Sequence, residues 1–80
     1  MAAMLGRSED PRGRLALLTA REREVVSLVA DQRHNEEIAQ ILVISVRTVE
    51  GHVAHIIDKL GVADREEAGR CWRSAQQAQR

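Results

Sequence analysis

Two runs of aliphatic residues at helical spacing lie within residues 35–60, which read NEEIAQILVISVRTVEGHVAHIIDKL. The first run predicts a helix at about residues 36–42, and the second predicts a longer helix at about residues 46–60. Only residues 43–45 separate the two runs, so the helices must pack against each other across a tight turn. The sequence therefore predicts a short helix that braces a longer one, which is a helix-turn-helix.

The shorter of these helices has a clear start and one apolar face. Asn35 is a suitable N-cap because its side chain can accept a hydrogen bond from a free backbone N–H of the first turn. Ile38, Ile41 and Leu42 recur at helical spacing, so we expect them to be buried. Ala39 is small, which would let the following helix approach closely.

The longer helix presents two chemically different edges. Ser45 can cap its N-terminus, and Gly61 can end it. The aliphatic residues predicted to face inward are Val46, Val49, Val53, Ile56, Ile57 and Leu60. The residues left on the outside are then Arg47, Glu50, Gly51, Ala54 and Asp58.

Helices are also predicted on either side of this pair. Capping boxes at Thr19 and at Asp64, each with a glutamate three residues later, open helices at about residues 20–31 and 65–77. No stretch alternates between apolar and polar residues as a half-buried strand would. We therefore predict an all-α fold, a four-helix bundle that contains a helix-turn-helix.

The chain of 80 residues has room for one domain. Residues 1–14 mix charges with Gly6, Gly13 and the only proline, Pro11, and they show no sustained period. We interpret them as a flexible tail or linker. Residues 15–80 are then the folded domain.

The composition narrows the possible functions. Hydrophobic residues make up 44% of the chain, but there is one Trp and no Phe or Tyr, so aliphatic side chains must fill the core. A single Cys excludes an internal disulfide, and neither a signal-peptide pattern nor a long apolar run is present. We therefore expect a cytoplasmic protein with no membrane partner. Because the chain lacks a nucleotide-binding loop and a set of catalytic partners, we expect no enzyme activity, no catalytic residue and no cofactor.

Two histidines are the strongest metal-ligand candidates in the sequence. His52 and His55 stand three apart on the longer helix, but no Cys or carboxylate joins them at a convincing spacing. His34 lies a helix away. We therefore expect no metal site.

The outward edge of the longer helix is suited to the major groove of DNA. Its residues are short or polar around the first turn, which lets the backbone sit deep in a groove and leaves Arg47 and Glu50 able to reach base edges. Thr48, His52 and Lys59 flank that edge and are predicted to contact phosphates. The predicted partner is therefore double-stranded DNA.

The charge balance opposes this interpretation. The net charge is zero, and from Thr19 to Arg65 six Lys and Arg face eight Asp and Glu, whereas DNA-binding domains are usually basic. The acids cluster at predicted helix N-termini, where they stabilise the helix and can point away from DNA. Arg7, Arg12 and Arg14 can add phosphate contacts. An alternative stays open, namely a helical protein-interaction module that has lost DNA affinity.

The last predicted helix carries a stripe formed by Ala68, Cys71, Trp72 and Ala75. These residues either cover the core or make close contacts with a second copy of the chain, and the pattern leaves both interpretations open. We expect a weak homodimer through this helix. Its two recognition helices would lie about one DNA turn, ~34 Å, apart on an inverted-repeat operator.

Four blocks of sequence resemble the LuxR/NarL/FixJ class of bacterial regulators. They are LTAREREV from Leu18, NEEIA from Asn35, SVRTVEGHV from Ser45, and KLGV from Lys59 with Arg65 beyond it. The resemblance extends from about Leu18 to Ala68. It implies a four-helix domain that binds specific DNA sequences on the nucleoid, dimerises through its last helix and contacts RNA polymerase. The chain is compatible with a stand-alone regulator and with the C-terminal part of a longer one.

The same resemblance assigns roles to individual residues. The positions that it places at the bases are Glu50, Gly51 and Ala54, to which the outward edge adds Arg47. The positions that it places near the DNA backbone are Thr48, His52 and Lys59.

Three positions depart from the family pattern. Gln32 stands where a glycine is usual, so a left-handed backbone there would cost about 1 kcal/mol, unless the turn differs. Glu50 stands where a lysine is frequent, and His55 stands where an asparagine is frequent. We therefore expect low non-specific affinity for DNA, with Glu50 accepting a hydrogen bond from a cytosine amino group.

Overall fold

A 3₁₀ helix and four α-helices make up the fold. The structure, a computed structural model, describes residues 11–78. After a 3₁₀ helix at Pro11–Leu17, the α-helices are α1 (Ala20–Ala30), α2 (Asn35–Leu42), α3 (Val46–Leu60) and α4 (Arg65–Ala78). No strand occurs among the described residues. The all-α prediction is confirmed.

The helix pair α2 and α3 is supported by the rest of the bundle. α1 packs against both α3 and α4, α2 packs against α3, and the 3₁₀ helix contacts α3 and α4. One aliphatic core joins these elements. Its buried members are Leu15, Leu18, Val25, Val26, Val29, Ile38, Ala39, Val49, Ile56, Leu60, Ala68 and Cys71.

The predicted capping box at the start of α1 is present. The Glu22 backbone N–H donates to Thr19 Oγ1 over 3.1 Å, and the Thr19 N–H donates to Glu22 Oε1 over 2.9 Å. Two of the free amides at the helix start are thus satisfied locally. The cap of α4 differs in one hydrogen bond. The backbone N–H of Glu67 donates to Asp64 Oδ1, as expected, but the Glu67 carboxylate accepts from the backbone N–H of Ala63 and not from that of Asp64.

Two details of α2 correct the sequence prediction. Its N-cap is His34, so Asn35 is the first helical residue and not the cap. Ile41, expected in the core, is 51% exposed. At about 100° per residue, Ala39 and Leu42 lie on one side of Ile38 and Ile41 lies on the other, so burial of Ile38 and Ala39 in the core leaves Ile41 in solvent.

Two residues other than glycine adopt a left-handed backbone. Gln32 has φ 65°, which confirms that this position needs the conformation usually given to glycine, at a cost of about 1 kcal/mol. Val43, in the turn between α2 and α3, has φ 58° and a side chain that is 86% exposed. A β-branched residue is especially disfavoured there. The α1–α2 connector and the turn between α2 and α3 are therefore both strained.

The predicted tail needs a correction at its end. Residues 11–14 are part of the 3₁₀ helix, and the Arg12 guanidinium donates to Ser74 Oγ over 3.4 Å. The helix continues into Leu15, whose burial in the core holds this segment against the bundle. The part of the tail prediction that concerns residues 1–10 lies outside the described residues.

Gly69 allows α4 to lie very close to α1. A methyl group built on Gly69 would lie 3.1 Å from the Cα atom and 3.4 Å from the backbone nitrogen of Ala30. Backbone atoms in a packed helix cannot move aside cheaply. Gly51 on α3 is the opposite case, since nothing lies within 4 Å of an added methyl group.

We expect Gly69→Ala and Gly51→Ala to change stability in opposite directions. Both gain the better helix propensity of alanine, but only Gly69→Ala forces α4 away from α1. The free energy of unfolding should rise by about 1 kcal/mol for Gly51→Ala and fall by about 1 kcal/mol for Gly69→Ala. Urea denaturation followed by circular dichroism measures both, and equal stabilisation of the two variants would contradict the close α1–α4 contact.

Candidate nucleic-acid interface

The start of α3 is fixed by a side-chain cap. Ser45 has an extended backbone, and its Oγ accepts a hydrogen bond from the Thr48 N–H over 3.0 Å. The predicted N-cap is confirmed. On the inner face of the helix Val49, Ile56 and Leu60 are buried, so the rotation of α3 about its own axis is determined.

The rotation of α3 leaves one continuous edge in solvent. Arg47, Glu50, Gly51 and Ala54, which recur at helical spacing on that edge, are all exposed. Gly51 and Ala54 are the two smallest of these residues. Arg47 and Glu50, whose side chains are longer and charged, lie nearer the start of the helix. The structure thus brings the four predicted base-facing residues together, and their contact with bases stays a prediction.

The three predicted phosphate-binding residues have different surroundings. Thr48 is exposed, and its Oγ1 lies 2.8 Å from Ser45 Oγ, so the two hydroxyls share a hydrogen bond at the helix start. His52 is half-buried. Lys59 lies in the last turn of α3, where its Nζ donates to Glu22 Oε1 over 2.7 Å. The ammonium therefore has a carboxylate partner within the fold, and its contact with a phosphate stays a prediction.

Glu22 is the only buried charged residue among those that the structure describes. Its exposed fraction is 4%, and its Oε1 accepts hydrogen bonds from both Lys59 and the Thr19 backbone N–H. Burial raises the pKa of the Glu22 carboxyl, but the hydrogen bonds from Lys59 and Thr19, with the positive charge of Lys59, outweigh it and lower the pKa below the ordinary value of 4.5. Glu22 thus ties the start of α1 to the end of α3. The sequence predicts only the capping role of Glu22. Glu22 and Lys59 are 37 residues apart, so no local pattern indicates that they pair.

We expect Lys59→Met to destabilise the bundle, because Glu22 then stays buried with a single donor. The free energy of unfolding at pH 7 should fall by about 1–3 kcal/mol. Since the pKa of Glu22 is lowered in the folded state, its contribution is fully present above pH 4.5 and is lost as the pH falls through the folded-state value. The difference in the free energy of unfolding between wild type and variant should therefore become smaller in acid.

Thermal unfolding at several pH values measures this effect. Arg21→Met is the matched control, because Arg21 pairs with Glu24 over 3.2 Å on the exposed surface of α1. Such a pair contributes less than about 1 kcal/mol. A Lys59→Met variant no less stable than Arg21→Met would contradict the tie between α1 and α3.

The stripe predicted to mediate dimerisation lies mostly in the core. Ala68 is 2% exposed, Cys71 is buried, and Trp72 and Ala75 are half-buried against the same core. Ala68 and Cys71 therefore belong to the core, because α4 must direct its small residues toward α1 to pack so closely. A contact of Trp72 and Ala75 with a second copy of the chain stays a prediction. The exposed residues of α4 are Glu66, Arg70, Arg73, Gln76 and Gln77.

Several acids that lower the net charge have partners within the fold. Glu22 pairs with Lys59, and Glu24 pairs with Arg21. Glu37 accepts from the backbone N–H of His34 over 2.9 Å. These carboxylates stabilise helix starts and ion pairs. On the outward edge of α3 the acids are Glu50 and Asp58, and both are exposed.

Two further properties concern the described part of the chain. None of its helices is both long and apolar enough to cross a membrane. Within residues 11–78, His, Cys, Asp and Glu side chains form no group of three or more that could hold a metal ion.

Comparison with known families agrees with this geometry. The family described as "Bacterial regulatory proteins, luxR family" matches residues 16–71, which is more than half of the chain. The chain belongs to the LuxR family. The matched segment contains the whole of α1, α2 and α3, and it ends within α4.

Curated relatives of this LuxR-family chain are bacterial regulators. It is 43% identical over 51 residues to the transcriptional regulatory protein LiaR of Bacillus subtilis (strain 168). It is 47% identical over 51 residues to the uncharacterized transcriptional regulatory protein YhcZ of the same strain, and 45% identical over 51 residues to the oxygen regulatory protein NreC of Staphylococcus aureus (strain JH9). Each match covers 64% of this chain and 24% of the relative, so the chain corresponds to about a quarter of those proteins.

Proposed function

We propose that this LuxR-family domain binds specific sequences of double-stranded DNA as the output domain of a bacterial transcription regulator, with α3 in the major groove. The observation that carries the proposal is the exposed edge of α3. Gly51 and Ala54 place no large side chain on this edge. Beside them Arg47 supplies hydrogen-bond donors and Glu50 supplies acceptors. The major groove offers both acceptors and donors on base edges, so this combination can read sequence.

Burial supports a defined orientation for this edge. Val49 and Ile56 are nearly inaccessible on the opposite side of α3, so the helix cannot rotate without exposing aliphatic surface. A recognition helix needs such a rigid mount because base contacts depend on sub-ångström placement. α2 and α1 provide it through their contacts with α3.

Phosphate contacts in this proposal come from few residues. Thr48 and His52 flank the reading edge, and Lys59 joins them with an ammonium that also pairs with Glu22. Few phosphate contacts give weak non-specific affinity, so sequence-specific contacts must supply a larger share of the binding free energy.

Glu50 is proposed to read a cytosine amino group. The operator is first obtained by selection from a random duplex pool. Glu50→Ala should then lose discrimination at one base pair by about 1–3 kcal/mol, with little change at the other positions, because a single side chain contacts a single base edge.

Affinities for a set of operators with single base-pair changes measure this loss. Asp58→Ala is the matched control, since it removes the same charge from an exposed position farther along α3. A Glu50→Ala variant whose affinity changes equally at every base pair would show that Glu50 acts only through its charge.

A homodimer on an inverted-repeat operator is the proposed functional assembly. Because Ala68 and Cys71 are in the core, the proposed contact through α4 uses Trp72 and Ala75, the half-buried members of the stripe. Two-fold symmetry would then place the two copies of α3 in successive major grooves. The same regulator would act in the cytoplasm on the nucleoid and meet RNA polymerase there.

A protein-interaction module is the second candidate, favoured by the excess of acids between residues 19 and 65 and by Glu50 on the outward edge. Salt dependence separates the two functions. We expect the logarithm of the DNA affinity to fall linearly with the logarithm of salt concentration, by about 0.9 for each phosphate engaged. Fluorescence anisotropy with the selected duplex measures the slope, and negligible binding even at low salt would favour the interaction module.

A further inference from the structure

A second charged feature lies away from the outward edge of α3. A pocket of about 460 Å³ opens between the end of α1, the α1–α2 connector and α4. Arginines from separate parts of the chain line it, and we name these four residues the arginine pocket: Arg33, Arg65, Arg70 and Arg73. Glu66 is the one carboxylate among the lining residues.

Neutral acceptors hold two of these guanidinium groups in place. Arg65 donates through Nη1 to Asn35 Oδ1 over 2.5 Å and through Nη2 to the Arg33 carbonyl oxygen over 2.9 Å. Arg73 donates to the carbonyl oxygen of Ala30. None of these three acceptors carries a formal charge, so the positive charges are oriented without being neutralised. A guanidinium keeps further N–H donors in a fixed plane when one or two are used.

The other two arginines also leave positive charge at the pocket. Arg70 is exposed and has neither a hydrogen bond nor an ion pair with any residue in the range 11–78. Arg33 has only long ion-pair distances, 3.6 Å to Asp31 and 4.0 Å to Glu37. The arginine pocket therefore has more positive charge than its surroundings compensate.

Gly69 and the left-handed Gln32 shape the backbone around the arginine pocket. Gly69 lies among the lining residues and lets α4 approach α1, which brings the arginines of α4 near the connector. Gln32 lines the same pocket with its left-handed backbone. Strained backbone persists where the surrounding structure holds it, and such positions concentrate at binding sites.

We infer that the arginine pocket binds a phosphate group. Several guanidinium groups around one space match an anion with three or more acceptor oxygens and more than one negative charge, which a single carboxylate does not provide. The phosphate comes either from the DNA backbone or from a free phosphorylated ligand. A phosphate site here does not depend on the reading edge of α3, so it stands or fails separately from sequence-specific DNA binding.

The first arm of the test uses the chain alone with inorganic pyrophosphate at low ionic strength. Saturable shifts in ¹H–¹⁵N spectra are expected at the amides of residues 32–34 and 65–73. Arg70→Gln should weaken the affinity on the order of tenfold through the loss of charge-assisted hydrogen bonds. Because Arg70 has no partner within the described fold, this variant leaves the bundle intact.

The matched control is Arg23→Gln, which makes the same change of charge at an exposed residue of α1 outside the pocket. Its pyrophosphate affinity should equal that of the wild type. Equal weakening by the two variants, or the absence of saturable shifts at these amides, would show only general attraction between charges and would overturn the proposal.

The second arm identifies the source of the phosphate through the salt dependence of duplex binding. If the pocket holds a backbone phosphate, Arg70→Gln reduces the steepness of the salt slope by about 0.9, and Arg23→Gln leaves it unchanged. Pyrophosphate binding that depends on Arg70 while the salt slope stays constant assigns the pocket to a free phosphorylated ligand. If pyrophosphate gives no response and the salt slope does not change, the phosphate site is rejected.

Discussion

The attachment of α3 to the rest of the bundle is the constraint on which this structure depends. Val49, Ile56 and Leu60 bury the inner face of the helix, and the Glu22–Lys59 ion pair joins its last turn to the start of α1. With one Trp and no other aromatic residue in the chain, no large side chain can compensate for loose packing. Small aliphatic groups must therefore fit closely, and the direction of the outer face of α3 follows from that fit.

The same close packing has consequences at α4. α4 reaches α1 at Gly69, where the missing side chain permits contact with the backbone of Ala30. That contact turns Ala68 and Cys71 into the core and directs the arginines of α4 outward. One feature of the sequence, a glycine between Ala68 and Arg70, thus contributes to both the buried and the charged face of α4.

A net charge of zero is compatible with two separate binding surfaces because the acids are not spread evenly. Glu22, Glu24 and Glu37 have partners at helix starts or in ion pairs, so their charges are partly used within the fold. In the arginine pocket the charge is not used within the fold in this way, because neutral acceptors orient the Arg65 guanidinium. The local charge of a surface can therefore differ in sign from the average of the chain.

Local features of the sequence determined the helices and their ends. The aliphatic period, the Thr19 capping box, the Ser45 cap and the Gly61 stop all depend on residues within one or two turns, and the structure confirms each of them. The family resemblance leaves two possibilities at Gln32, a left-handed backbone or a different turn, and the structure has the left-handed backbone.

Only the tertiary structure decided which helix faces meet and which charges pair. Ile41 is exposed because Ile38 and Ala39 form the buried side of α2, Lys59 meets a carboxylate 37 residues away, and Ala68 turns inward because α4 lies against α1. The arginine pocket likewise joins residues from the connector and from α4. Periodicity gives each helix an apolar face, but the rotation and approach of the helices result from all their packing contacts together, which no single segment encodes.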